Sequence, residues 1–139
     1  MNRKIFFDNV RTSLFGGALE GSEVAGLEAI LAEGERRKEP VNNTAYALAT
    51  THLETGAKMQ PVREGFAKSE AAARAYVRKH YAAKYGKPAG PYGHYYYGRG
   101  YVQLTWLFNY EKAKAKLGFD FVKYPDAVMD PKWAVRILF

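Results

Sequence analysis

Cysteine is absent from this 139-residue chain, which removes disulfides and every thiolate metal site. A long apolar run is also missing: no stretch approaches the ~18 residues that crossing a bilayer takes, so no stable membrane insertion is expected. Asp8, Asn9 and Arg11 interrupt the segment after the basic start Met1-Asn2-Arg3-Lys4. That segment therefore has neither the apolar stretch nor the small-residue cleavage site of a signal peptide, and cytoplasmic synthesis is expected. Asn42-Asn43-Thr44 matches a glycosylation acceptor, which has no meaning without such a signal. Acidic residues are few, 14 against 21 basic ones, for a net charge of +7 and a pI near 9.5. A surface of that sign attracts polyanions, whether nucleic acid, anionic lipid or an acidic cell-wall polymer. No nucleic-acid recognition motif accompanies the charge. His80 and His94 lack metal-ligand spacing, and no metal or cofactor is expected.

What is present describes one soluble domain over residues 1–139, 47% hydrophobic with a mean hydropathy of −0.39. Ile5, Phe6, Val10 and Leu14 recur at helical spacing up to Gly16-Gly17. Ser22 is expected to cap a second helix striped by Val24, Leu27, Ile30 and Leu31, with the charged run Glu33–Glu39 as its solvated end. Asn43 or Thr44 opens a third helix through about Thr55, with Tyr46, Ala49 and Leu53 as its expected core face. Residues 57–67 read as loop. Ser69 caps a fourth helix running to Lys84. Five glycines and two prolines between residues 86 and 100 preclude regular structure. Tyr101–Leu104 is expected to be extended, Thr105 to cap a fifth helix that ends at Gly118, and Asp130-Pro131 to open a last one. Ile137-Leu138-Phe139 lies inside an apolar helical pattern without a cap, so the domain is expected to continue past it.

Two segments carry the chemistry. On the third helix Ala47, Thr50, Thr51 and Glu54 share a face of small residues, which leaves room for a ligand beside one carboxylate. An apolar wall raises a carboxyl pKa and suits it to general-acid work; the plain alternative is a surface glutamate at a helix end. Glu64 follows ten residues on, in the loop Gln60-Pro61-Val62-Arg63-Glu64-Gly65. A loop carboxylate facing a helix carboxylate is the arrangement that activates water across a glycosidic bond. Glu70 competes for that role but sits at a helix start. The second segment is Tyr96-Tyr97-Gly98-Arg99-Gly100-Tyr101-Val102-Gln103-Leu104-Thr105-Trp106. The chain has 11 tyrosines, many of them between residues 76 and 110. Such a cluster near glycines suits a sugar-stacking platform better than a core, since a buried phenol needs a partner. Arg99 either binds an anion or, as expected here, pairs with a carboxylate that holds the cleft. Trp106 and Phe108 are expected in the core, and His52 to be a buried hydrogen-bonding residue.

These residues resemble a known family. His52-Leu53-Glu54-Thr55-Gly56, then Val62-Arg63-Glu64, then the Tyr96–Trp106 block followed by Asn109-Tyr110, look like the family 19 glycoside hydrolases, over roughly residues 43–139. That family comprises class I-type chitinases and the chitinase-like endolysins of bacteriophages. The cysteine-free form is more similar to the endolysins. The resemblance implies a mainly α, lysozyme-like, two-lobed helical domain with a central substrate cleft. It implies Glu54 as general acid, Glu64 as general base, and Tyr97, Gln103 and Asn109 as substrate-binding residues; Arg99, from its place in the same block, is a further substrate-binding candidate. The intervening loop is shorter than in chitinases, and Pro61-Val62 replaces an aromatic-rich stretch. The expected function is an endolysin that cleaves β-1,4 bonds of peptidoglycan with inversion, acting on the wall after release as a monomer. A chitinase acting on chitin-like glycan, or a glycan-binding remnant without catalysis, are the alternatives.

Overall fold

The computed structural model describes residues 1–139. Six α-helices carry most of the chain: α1 (Arg3–Leu14), α2 (Gly21–Arg37), α3 (Val41–Glu54), α4 (Glu70–His80), α5 (Leu107–Leu117) and α6 (Pro131–Leu138). Two short strands, β1 (Val62–Arg63) and β2 (Arg99–Gly100), pair antiparallel with Val62 opposite Gly100 and Arg63 opposite Arg99. Single 3-10 turns follow β1 at Glu64–Phe66 and precede α6 at Pro125–Met129. This is the mainly α, lysozyme-like arrangement that the motifs imply.

The interior divides in three. Leu27, Ile30, Ala47, Met59, Tyr101, Ala134 and Val135 form one core, packed by α1 through Phe6, Phe7 and Val10. Tyr96, Tyr110, Ala113, Phe121, Val122 and Val128 form a second, and Ala73 and Val77 of α4 form a third with Tyr97. The two sides of α6 serve different cores, since Trp133 and Ile137 pack against the second and Ala134 and Val135 belong to the first. One short amphipathic helix therefore joins the lobes. It is tied to α2 by Arg37, whose Nη2 donates to the Arg136 carbonyl at 3.0 Å.

Caps fix several ends as expected. The Ser69 hydroxyl accepts from the Ala72 amide, Asp130 accepts from the Lys132 amide, and Gly118 closes α5 in the left-handed conformation. Elsewhere the structure corrects the expected boundaries. The second helix begins at Gly21 through a reciprocal capping box of Glu20 and Glu23, not at Ser22. Helix α3 begins at Val41, directly after Pro40. Helix α4 stops at His80 instead of Lys84. Residues 101–104 turn, and the extended pair lies just before them. The Thr105 hydroxyl donates to the Gln103 carbonyl and caps nothing, so α5 starts after Trp106. Glu33 is buried, where its hydrogen bonds from Arg36 and then Arg37 hold its carboxyl at about 2.

The largest correction concerns α3, whose expected core face points outward. Tyr46 and Leu53 are 76% and 77% exposed, while Ala47, Thr51 and the following Thr55 are buried. The reason lies on α2. Gly26 and Gly34 bring that helix so close that a Cβ on Gly34 would stand 2.6 Å from the Thr44 hydroxyl, and one on Gly26 would overlap the Met59 carbonyl. Only small residues fit such an approach, so packing selected Ala47 and Thr51 over the bulkier stripe. Gly26→Ala should therefore cost about 3 kcal/mol, the upper end of overpacking losses. Urea unfolding measures this; a loss below about 1 kcal/mol would show that the Met59 segment yields easily to α2.

Candidate active site

A cleft of about 560 Å³ opens between the end of α3, the β1 turn, α4 and the segment after β2. Glu54 and Glu64 both line it, with Val62, Arg63, Gly65, Phe66, Tyr76, Tyr85, Gln103 and Thr105. An apolar hollow of about 390 Å³ between α1, α2 and α3 has Glu35 and Glu39 at its lining, but Glu35 is committed to Arg3 at 2.8 Å. Only the first of the two carries two carboxylates that are both outside any ion pair together with polar side chains, Gln103 and Thr105.

Glu54 reaches the cleft as the last residue of α3. Glu64 reaches it because the β1–β2 pairing continues one residue further. The Glu64 amide donates to the Gly98 carbonyl at 2.7 Å, and the Gly98 amide donates to the Glu64 Oε2 at 3.0 Å. Backbone and side chain of Glu64 are thus both held by one residue. A Cβ on Gly98 would lie 2.6 Å from that same Oε2 and 2.6 Å from the Gln103 Oε1. Gly65 follows with φ 64° and leaves room for the Tyr76 ring. Gln103 holds the other edge, its Nε2 donating to the Val62 carbonyl at 2.9 Å. Phe66, Gln103 and Trp106 all have φ between 50° and 74° without being glycine, so strained backbone gathers around the cleft.

Beneath the cleft lies an ionic brace. Asp126 accepts from Arg63 Nη2 at 2.6 Å through one oxygen and from Arg99 Nε at 2.8 Å through the other. It therefore joins the strand that leads into Glu64 to the strand that follows Gly98. Arg99 is fully buried, stacks 3.6 Å from the Tyr97 ring centroid, and donates through Nη1 to the Tyr95 carbonyl and the Tyr110 hydroxyl, each at 3.0 Å. The Tyr110 hydroxyl in turn donates to the Tyr97 carbonyl at 2.8 Å, and burial pushes its pKa up to about 12. Burial opposes the charged form of Asp126, yet the hydrogen bond from Arg63 and the charge of Arg99 outweigh it and hold the carboxyl below its ordinary range.

Of the residues picked from sequence, Glu54, Glu64 and Gln103 meet on the cleft. Tyr97 and Arg99 do not: both are fully buried, and they support the cleft from below rather than offering a surface to a ligand. Arg99 pairs with a carboxylate as anticipated, and that carboxylate is Asp126. Asn109 also lies off the cleft. It lines a separate groove between α5 and α6, and its Nδ2 donates to the Thr105 carbonyl at 2.8 Å. The tyrosine platform is corrected as well, since Tyr96, Tyr97, Tyr101 and Tyr110 are all core. Tyr96 donates to the Val122 carbonyl at 2.8 Å, so its phenol is satisfied inside. Trp106 and Phe108, expected inside, are 39% and 51% exposed. His52 packs edge-on against Phe15, and its Nε2 is buried without a hydrogen-bond partner.

The aromatic surface of the cleft comes from other residues: Phe66, Tyr76 and Tyr85, the last edge-on to Trp106. The Tyr85 hydroxyl is pushed above its ordinary range by burial and then by the charge of Glu64. Tyr76 and Tyr85 belong to the tyrosine cluster expected to stack on sugar, though outside the glycine-rich block, whereas Phe66, Thr105, Gly98 and Asp126 escaped the sequence reasoning. One signal for Asp126 was available. Two arginines entering an apolar region require a carboxylate, and few acids remain in that half of the chain.

Asp126→Asn should destabilise the fold by about 2–3 kcal/mol, less than a fully buried pair because the carboxylate is partly exposed. The sign with pH follows from the lowered folded-state pKa. Its contribution is present above the unfolded pKa near 4 and is lost as pH falls through the folded value. Urea unfolding should show the wild type losing more stability than the variant between pH 6 and pH 3. Parallel losses would remove Asp126 from this role.

The family of class I chitinases, glycoside hydrolase family 19, has a model that matches residues 23–136. Chitinase 4 of Oryza sativa subsp. japonica is 50% identical over 40 residues, which span 28% of this chain and 14% of the rice protein. The chain thus aligns with only a small part of that relative. No solved structure matches.

Proposed function

Starting from a chain that belongs to the family 19 glycoside hydrolases, we propose that it hydrolyses the β-1,4 bonds of bacterial peptidoglycan in the manner of an endolysin, reaching the wall after release from the cell. The observation that carries a hydrolytic reading is the pair Glu54 and Glu64 on one cleft lined by aromatic rings. Glu54 protonates the leaving glycosidic oxygen. Glu64, held by Gly98, takes a proton from the water that attacks the anomeric carbon from the opposite face. The attack breaks the carbon–oxygen bond in one displacement, so the configuration inverts. Gln103 and Thr105 supply polar contacts at the cleft edge, and Phe66, Tyr76 and Tyr85 supply apolar faces on which sugar rings stack. The net charge of +7 favours a glycan whose lactyl-peptide stems are acidic.

A second reading is hydrolysis of chitin oligomers, which have the same β-1,4 linkage without the acid. The 40-residue similarity to a rice protein named as a chitinase favours it. Clearing of permeabilised cells, run beside hydrolysis of N-acetylglucosamine oligomers, separates the two. Binding without product release in both assays would leave neither.

Two outcomes test the roles. Glu54→Gln should keep the melting temperature and glycan binding while lowering turnover ~10²-fold or more, the usual scale of a general acid. Near-normal turnover would remove Glu54 from the reaction. The nascent reducing end from a β-linked chain should be the α-anomer by NMR. A β-anomer, or a glycosyl group trapped on Glu64, would replace the single displacement with a covalent route.

A further inference from the structure

The charge of this chain is concentrated on one wall of the cleft. Residues 56–95 contain eight basic and two acidic side chains, a net +6 out of the +7 of the whole. They comprise β1, its turn, α4 and the tyrosine-rich loop after it. By contrast residues 1–55, which form α1 to α3, are net −2. Two of the eight cations are spent internally, Arg63 on Asp126 and Arg74 on Glu70. The other six are Lys58, Lys68, Arg78, Lys79, Lys84 and Lys87, all exposed and with no carboxylate within ion-pair distance. Elsewhere Arg3, Lys4, Arg11, Arg36, Arg37, Arg99 and Lys114 are paired, whereas Lys38, Lys112, Lys116, Lys123, Lys132 and Arg136 are not, so what sets this segment apart is its scarcity of acids, two against eight bases. A field of one sign left unneutralised costs stability through self-repulsion, so its place in the molecule calls for an anionic partner.

The position of these cations specifies the partner. Lys58 Nζ stands 5.2 Å above the ring of Phe66, a cleft residue. Lys84 adjoins Tyr85, another cleft residue. Lys79 lies on the same shoulder of α4 as Tyr76, three positions on, where residues of a helix are surface neighbours. The rings thus line the cleft, and each has a lysine beside it: Lys58 over the Phe66 ring, Lys79 one helical turn from Tyr76, and Lys84 next to Tyr85 in the chain. Glu54 and Glu64 would repel an anion placed over the reacting bond. The cations therefore suit acids that hang to the side of a neutral sugar backbone.

We propose that Lys58, Lys79 and Lys84 form a rim that binds the carboxylates of an acidic glycan strand while its sugars lie in the cleft. This rests on the peptidoglycan reading above and assigns the side chains that would separate that substrate from neutral chitin.

The test uses the whole chain with Lys58, Lys79 and Lys84 changed together to Gln. A control carries Lys112→Gln, Lys123→Gln and Lys132→Gln, which removes the same charge from residues 96–139. Cosedimentation with purified peptidoglycan sacculi gives Kd across a salt series, and hydrolysis of a neutral N-acetylglucosamine oligomer reports on the cleft. The rim variant should bind sacculi about tenfold more weakly than the wild type at low salt, with a shallower salt dependence. Its oligomer hydrolysis should be unchanged, and the control should bind like the wild type. Sacculi whose carboxylates have been converted to amides should bind wild type and rim variant alike. Equal weakening in both variants, or none in either, would overturn the proposal. So would tighter wild-type binding to duplex DNA or to phosphatidylglycerol vesicles than to sacculi at the same salt. Failure of wild-type turnover on peptidoglycan, with sacculus binding intact and rim-dependent, would instead defeat the reading on which the proposal rests.

Discussion

Asp126 is the group on which the site depends. Its two oxygens hold Arg63 and Arg99, residues that face each other across the β1–β2 pair. A two-residue ladder is too short to define its own register. The carboxylate defines it from below, and Glu64, one residue beyond the ladder, inherits its position from that register. Arg99 in turn is fixed by carbonyls and the Tyr110 phenol, so the brace reaches from the 3-10 turn before α6 through β2 into α5. Positioning of one catalytic candidate is thus bought with a fully buried guanidinium, whose cost the tyrosine rings and hydrogen bonds around it offset.

The same economy explains the glycines. Gly98 allows the Glu64 carboxylate and the Gln103 amide to converge on one backbone atom, and Gly65 allows the Tyr76 ring to cover the turn. On the other lobe Gly26 and Gly34 let α2 approach α3 and the Met59 segment closely, which orients the end of α3 that carries Glu54. Close backbone approach on one side of the cleft sets the helix glutamate, and on the other it sets the loop glutamate.

Local signals made much of the fold legible. Caps at Ser69, Asp130 and Gly118 and the periodic runs of α1 and α2 locate elements because a helix end is decided by a few neighbouring residues. The face of α3 was illegible for a physical reason. Hydrophobicity points to Tyr46 and Leu53, but the distance to α2 admits only Ala47 and Thr51. Glu54 and Glu64 were legible as lone acids in apolar or loop contexts. Tyr97 was misplaced because a tyrosine that cages an arginine and one that stacks on a sugar look alike in sequence. A carboxylate partner for Arg99 was legible, but not that it is Asp126, because the arginines it holds lie 63 and 27 positions away. The aromatic lining, Tyr76 and Tyr85, comes from the start of the tyrosine cluster, on α4 and the turn after it, because the tyrosines nearest the glycines are consumed by the core.

The division of labour between the two glutamates is the central claim, and the pH dependence of kcat/KM tests it most directly. An acid and a base acting together give a bell-shaped profile in the wild type. Glu64→Gln should lose the acidic limb, because no base then needs to be deprotonated, and keep the alkaline limb at reduced rate. Glu54→Gln should do the reverse. A Glu64→Gln profile that keeps its acidic limb, or a Glu54→Gln profile that keeps its alkaline one, would contradict the assignment.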